Sequence, residues 1–181
     1  MAFKILTDSC CNLPEYMIDE FGLEVFPLTF MVDGREHQSY LKGKVTDLSK
    51  FYDMMREGKV ITTSLPNLDS ARKLMAAQLE EGHDVLYLGF SSGLSGTFDA
   101  IRLLMDELAS EYPDRKLYAV DTLAASGGQG LLVWHACQLA RAGASVEEVR
   151  DWVEENKLHM AHWFTVDDLM FLFRGGRVSR T

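Results

Sequence analysis

Along this 181-residue chain, short unbroken apolar runs alternate with longer stretches in which apolar residues recur every three or four positions. These are the periods of buried strands and of helices packed on one face. Residues 3–6 form a first run that ends in Thr7, Asp8 and Ser9. Residues 13–21 have helical spacing, with Pro14 tolerated in a first turn and Gly22 as a stop. Residues 25–32 (VFPLTFMV) read as one strand ending in the turn signal Asp33-Gly34. Pro27 cannot donate to a ladder, which places that strand at an edge or makes Pro27 a strand start. Residues 35–44 are polar and carry no assignable period. Residues 46–56 (TDLSKFYDMMR) predict a capped amphipathic helix with Leu48, Phe51, Tyr52 and Met55 on one side and Gly58 beyond its end.

The second half repeats the alternation. Residues 60–67 (VITTSLPN) predict an extended or turn segment, because Pro66 disfavours helix before it, and residues 68–79 are helical. Residues 85–90 are a buried strand running through a hydroxyl-rich loop, 91–97, into a helix that continues to residue 108. Residues 117–120 are another strand, ending in Asp121-Thr122 as the first ends in Thr7-Asp8. Residues 127–140 form a strongly apolar helix; Gly127, Gly128 and Gly130 point to close helix-to-sheet packing, since no Lys-Ser or Lys-Thr follows to make a Walker site. Ser145-Val-Glu-Glu opens a capping-box helix that runs to Asn156. Residues 159–166 predict a strand in which His159 and His162 face opposite sides and share no metal. Residues 167–173 predict a short helix, and residues 174–181 a turn leading into a further element. Strands alternating with helices make the chain α/β with a mainly parallel sheet flanked by helices. Its one candidate boundary lies near residues 157–161.

Composition narrows the function classes. An apolar fraction of 47% is that of a globular protein, and no run reaches the ~18 apolar residues of a membrane span. The start MAFKILTDS lacks a basic region, a long apolar region and a cleavage site, so the expected location is the cytoplasm. A net charge of −9 argues against nucleic acid as a partner. Cys10, Cys11 and Cys137 cannot all pair, a Cys10–Cys11 bridge would be strained, and the thiols read as reduced and packed.

Candidate chemistry concentrates at residues 91–97 (SSGLSGT). A strand running into a helix N-terminus offers free amides and the positive end of the helix dipole, and Gly93 and Gly96 allow close backbone approach. An anion fits there, held by amides and hydroxyls because the loop contains nothing basic; a carboxylate suits this better than a triphosphate. Ser95 reads equally as a plain N-cap of the helix starting near Gly96. Thr62, Thr63 and Ser64 form a second hydroxyl cluster that could converge on the same ligand from the same end of the sheet. Asp8, beyond the end of a strand, stands where α/β proteins place functional groups, although a cap or turn role is its ordinary reading.

Thr7-Asp8-Ser9 with Leu13-Pro14, Pro27-Leu28, Thr62-Thr63-Ser64-x-Pro66, the 91–97 loop, Val120-Asp121-Thr122 and Gly175-Gly176-Arg177 together resemble the DegV family, along the whole chain. The resemblance implies a bacterial two-domain α/β fatty-acid-binding protein. It would hold a long acyl chain between its domains and act without a cofactor or metal of its own. Residues 1–160 would be the first domain and 161–181 the start of a second, cut short here. It further implies a partner, a separate fatty acid kinase that phosphorylates the bound carboxyl group. Carried onto matching positions, Thr63 and Ser95 would hydrogen-bond the carboxylate, with Ser64, Ser92 and Gly96 in support. Leu65 departs from the family's usual Gln in the Thr-Ser-x-Pro loop. The competing enzyme reading makes Ser92 or Ser95 the nucleophile of a hydrolase or acyl transferase; it needs a base, for which His135 and His37 are the candidates.

Overall fold

The computed structural model describes residues 3–44 and 47–179. Its frame is a four-stranded parallel sheet of β1 (Phe3–Asp8), β2 (Glu24–Phe26), β6 (Asp84–Gly89) and β7 (Leu117–Asp121), in the order β2-β1-β6-β7. Alternation along the strands fills two separate cores. Phe3, Ile5, Leu86, Leu88 and Val120 face helices α1 (Glu15–Phe21), α5 (Ser126–Arg141) and α6 (Val146–Asn156). Leu6, Val85 and Tyr87 face α3 (Leu68–Glu80) and α4 (Thr97–Glu111). Because both faces are covered, Val85, Leu86, Tyr87 and Leu88 are all fully buried, which is why the sequence shows an unbroken apolar run there. The chain leaves β1 toward β2 and later returns to β1's other side with β6. The carboxyl ends of β1 and β6 therefore flank the switch point at which open α/β sheets bind ligands.

A second sheet was not legible in the sequence. β3 (Thr29–Val32), β4 (Arg35–Gln38) and β5 (Ile61–Ser64) form an antiparallel sheet in the order β4-β3-β5. The single strand expected over residues 25–32 is thus two strands in two sheets, divided at Pro27-Leu28. The break is held by Ser9, whose Oγ accepts the Leu28 amide at 3.0 Å, and by Ser39, whose hydroxyl donates to the Leu28 carbonyl at 2.8 Å. The polar segment after Gly34 is the hairpin partner of β3, and the hydroxyl cluster expected in an extended or turn segment lies in the edge strand β5. Helix α2 (Leu48–Arg56) is capped by Asp47, which accepts the Lys50 amide; Thr46 lies outside the described residues. Phe51 of α2 meets Phe30 edge-on at 5.1 Å.

The strand expected over residues 159–166 is absent. A 3-10 turn, Lys157–His159, is followed by irregular chain up to helix α7 (Leu169–Arg174). The β-like composition there pairs with none of the described strands, and residues 161–170 are exposed. Arg180 and Thr181, the end of the turn expected over residues 174–181, lie outside the described residues. The glycines of α5 act differently from expectation. A β-carbon on Gly130 would lie 2.6 Å from the Cys11 carbonyl oxygen, and one on Gly128 would lie 2.5 Å from the His162 ring, while Gly127 faces open space. The close packing is against loops, not against the sheet.

The capping box of α6 is complete. Ser145 Oγ accepts the Glu148 amide and Glu148 accepts the Ser145 amide at 2.7 Å. Ser145→Ala is expected to cost about 1 kcal/mol in a denaturant titration. The Ser145 amide and then its hydroxyl hold the Glu148 carboxyl below its ordinary value. The contribution of this pair is therefore present above the ordinary carboxylate range and lost as pH falls through and below it. An acid limb of stability unchanged in Glu148→Gln, which removes the titrating group, would contradict this.

Candidate functional site

Three loops meet beyond the carboxyl ends of β1, β6 and β7. The 91–97 loop leaves β6 with Ser91 buried, its amide donating to the Ala124 carbonyl at 3.0 Å and its hydroxyl accepting the Gly93 amide at 3.3 Å. Asp121, at the end of β7, accepts the amides of Ser92 at 3.2 Å and Leu123 at 3.0 Å. Thr122 donates to the Gly89 carbonyl at 2.7 Å. These bonds account for the echo of Thr7-Asp8 in Asp121-Thr122: each pair ties off a strand end against its neighbour.

Gly96 is the N-cap of α4, with no side-chain cap at that position. Instead Ser95 Oγ accepts the Thr97 amide at 3.2 Å and lies 2.9 Å from Thr97 Oγ1. Thr97 is fully buried and its hydroxyl has no other partner among the described residues. Its proton therefore goes to Ser95, which leaves the half-buried Ser95 hydroxyl free to donate outward. The amides of Gly96, Phe98 and Asp99 also carry no partner among the described residues, as expected of a first helical turn. Ser92 is exposed, with no side-chain partner among the described residues.

The second hydroxyl cluster comes close to the first. A β-carbon on Gly96 would lie 4.0 Å from Leu65 Cδ2, so the loop after β5 comes near the start of α4. Within β5, register separates the two candidate residues. Thr63 pairs with Phe30 and Ser64 with Thr29, so their side chains lie on opposite faces of the antiparallel sheet. Thr29 donates its one hydroxyl proton to the Leu65 carbonyl at 3.0 Å, and Ser64 is therefore the donor in its own hydrogen bond to Thr29. The Ser64 proton is committed; the exposed Thr63 hydroxyl has no partner among the described residues.

Two residues gain contacts that spacing could not show. Arg177 donates from Nε to the Leu94 carbonyl at 3.3 Å, which brings a guanidinium to a loop with no basic residue of its own. The contact spans 83 positions, and nothing local to either end announces it. Asp8 does cap the 3-10 turn Ser9–Cys11, accepting the Cys10 amide at 3.0 Å, but it also accepts Tyr87 Oη at 2.9 Å, the Phe90 amide at 2.8 Å and Gln129 Nε2 at 3.3 Å. Burial pushes its carboxyl above the ordinary range against the pull of those donors.

The nucleophile chemistry considered from sequence finds no support in this geometry. His135 packs between Trp134 and Trp152, at 4.9 and 5.3 Å, and His37 stacks on Phe30 at 5.3 Å. No histidine among the described residues hydrogen-bonds Ser92 or Ser95. Cys10 and Cys11 are free thiols pushed by burial up to about 12 and about 11, so neither is a thiolate near neutral pH. A cleft of about 360 Å³ lined by Phe3, Asp84, Lys116 and Glu147 lies at the opposite ends of the strands, away from these loops. Among the described residues there is no group of three or more acidic, histidine or cysteine side chains placed to hold a metal, and no helix long and apolar enough to cross a membrane.

Comparison with known proteins agrees with this architecture. A DegV domain-containing protein of Clostridium perfringens is 40% identical over 99% of this chain and 61% of its own length. A DegV family protein from Thermus thermophilus, described for its fatty acid binding, superimposes with a TM-score of 0.83 at 32% identity, over 97% of this chain and 60% of that one. A protein from Thermotoga maritima whose structure is described as revealing a fatty acid binding function gives a TM-score of 0.81 at 30% identity, over 99% and 64%. The chain thus spans about three-fifths of the length of these relatives. The family model described as "Uncharacterised protein, DegV family" matches residues 2–181, and with that match the chain belongs to the DegV family.

Proposed function

We propose that this chain supplies the head-group site of a long-chain fatty-acid-binding protein. The carboxylate is received by the hydroxyls of Thr63 and Ser95, with Ser92 and the Gly96 amide in support and Arg177 as the nearby cation. Ser64 acts at one remove, fixing Thr29 and through it the Leu65 carbonyl. The observation that carries the reading is the approach of the two hydroxyl clusters, Leu65 just after one lying near Gly96 of the other. Exposed Leu65, Leu94 and Leu123, from the loops after β5, β6 and β7, give the head-group site an apolar rim suited to an alkyl tail. Burying about 14 methylenes at ~0.8 kcal/mol each offers on the order of 11 kcal/mol before association costs, so the hydroxyls need supply chiefly orientation.

Residues 161–181 begin a second domain in this reading, which Trp163 (96% exposed) and Phe164 (88% exposed) support by presenting apolar surface that the first 160 residues leave uncovered. The protein itself breaks no bond: it presents the carboxyl group to a separate fatty acid kinase in the cytoplasm, which transfers a phosphoryl group to it. Denaturing extraction of the complete protein, followed by mass spectrometry of the organic phase, is expected to return a stoichiometric long-chain fatty acid. An extract empty of lipid, from protein that also fails to take up added palmitate, would overturn the reading.

A further inference from the structure

Asp8 is fully buried, and its four donors come from four parts of the fold: the 3-10 turn after β1, the side chain of Tyr87 in β6, the Phe90 amide just beyond β6, and Gln129 in α5. Two of these donors control the 91–97 loop. The Phe90 amide is the point where the chain leaves β6 for the loop. The Tyr87 ring stacks on Phe98 in the first turn of α4, with centroids 6.2 Å apart and planes 12° apart. Gly89 makes room for this stack, since a β-carbon there would lie within 2.8 Å of both rings.

We propose that Asp8 is the positioning residue of the 91–97 loop: its ionised carboxylate fixes both the loop's departure from β6 and the helical turn where it ends, and protonation of Asp8 loosens the donors offered to a ligand carboxylate. The inference rests on the fatty-acid reading above. The orientation of Gln129 favours an ionised partner. Its Nε2 serves both Thr7, at 3.1 Å, and Asp8, while its Oε1 is buried with no hydrogen-bond partner among the described residues. Each Asp8 oxygen accepts two donors, Oδ1 from the Cys10 amide and Gln129 and Oδ2 from Tyr87 and the Phe90 amide, which suits a carboxylate and leaves no acceptor for the proton of a carboxylic acid. The titratable groups around Asp8 are Tyr87 from β6, and Cys10 and Cys11 from the 3-10 turn; burial keeps all three protonated, and no cation among the described residues acts on the carboxylate. Only hydrogen-bond donors hold the charge, so removing one moves the pH at which it is lost upward.

The test is the ratio of palmitate dissociation constants for Tyr87→Phe and wild type in the complete protein, measured by equilibrium dialysis from about pH 8 down to about pH 5, where a buried carboxyl can titrate. Ionisation of palmitate cancels in the ratio. The expected ratio rises several-fold toward the acid end, because without the Tyr87 hydroxyl Asp8 takes up a proton at a higher pH and ceases to be a full hydrogen-bond acceptor for its remaining donors. A ratio that stays the same at every pH, with palmitate bound, would show that Tyr87 serves packing alone and would overturn the assignment. If wild type takes up no palmitate at any pH, the fatty-acid reading itself falls. Should Tyr87→Phe fail to fold, Gln129→Met removes a different donor from the same carboxylate, and the same rise is expected or the proposal fails.

Discussion

Thr63→Ala and Ser95→Ala, made separately in the complete protein, are each expected to weaken fatty acid binding by about 1–3 kcal/mol, the range for losing a hydrogen bond to a charged group. The structure gives the two hydroxyls the same property by different routes. Thr63 lies on the exposed edge of the antiparallel sheet without a partner among the described residues, and Ser95 accepts from Thr97 and so keeps its own proton for a ligand. Ser64→Ala provides the contrast. Its proton goes to Thr29, so the loss of binding should be smaller, while removing it deprives a buried hydroxyl of a partner and lowers stability. Titration calorimetry of the three variants tests the assignment. Equal affinity for Thr63→Ala, Ser95→Ala and wild type would remove both residues from the site.

Gly130→Ala is expected to destabilise the fold by about 1–3 kcal/mol, even though alanine is the better helix former by about 1 kcal/mol. The added methyl would meet the Cys11 carbonyl oxygen at 2.6 Å and Leu13 Cδ2 at 3.2 Å, and a backbone carbonyl cannot rotate away as a side chain can. The same change at Gly127, three residues earlier and facing open space, should leave stability unchanged or raise it by up to about 1 kcal/mol. Thermal melts of the two variants make the comparison, at roughly 2–4 °C per kcal/mol for a chain of this size. Similar melting temperatures would mean that α5 is not seated on the 3-10 turn as described. That seating has a functional consequence, because the turn is the one capped by Asp8, and Gln129 beside Gly130 is one of Asp8's donors.

What could be read from the sequence, and what could not, divides along the range of the interactions. Helices α3, α4, α5 and α6 follow from 3.6-residue periodicity and local stop signals, and the capping box of α6 from four adjacent residues. The central strands follow from burial on both faces, which requires an unbroken apolar run and so marks residues 85–88 plainly. Residues 25–32 misled for the same reason: a β-rich stretch looks alike whether it stays in one sheet or is divided between two, and the division is enforced by Ser9 and Ser39 from elsewhere in the chain. Residues 159–166 have strand composition but pair with none of the described strands, and pairing is decided outside the segment itself.

The sequence by itself determined the fold class and the hydroxyl-rich junction between β6 and α4, because each is written in contiguous residues whose spacing is set by backbone geometry, and motifs spread along the whole chain carried the resemblance to its family. The tertiary structure alone decided which hydroxyl protons remain free, since that depends on partners such as Thr29 for Ser64 and Thr97 for Ser95. It alone brought Leu65 to Gly96 and Arg177 to Leu94, and it turned Asp8 from a cap into a buried carboxylate with four donors. Hydrogen bonds and steric contacts act over a few ångströms of space, and the chain reaches those distances only after the sheets have paired.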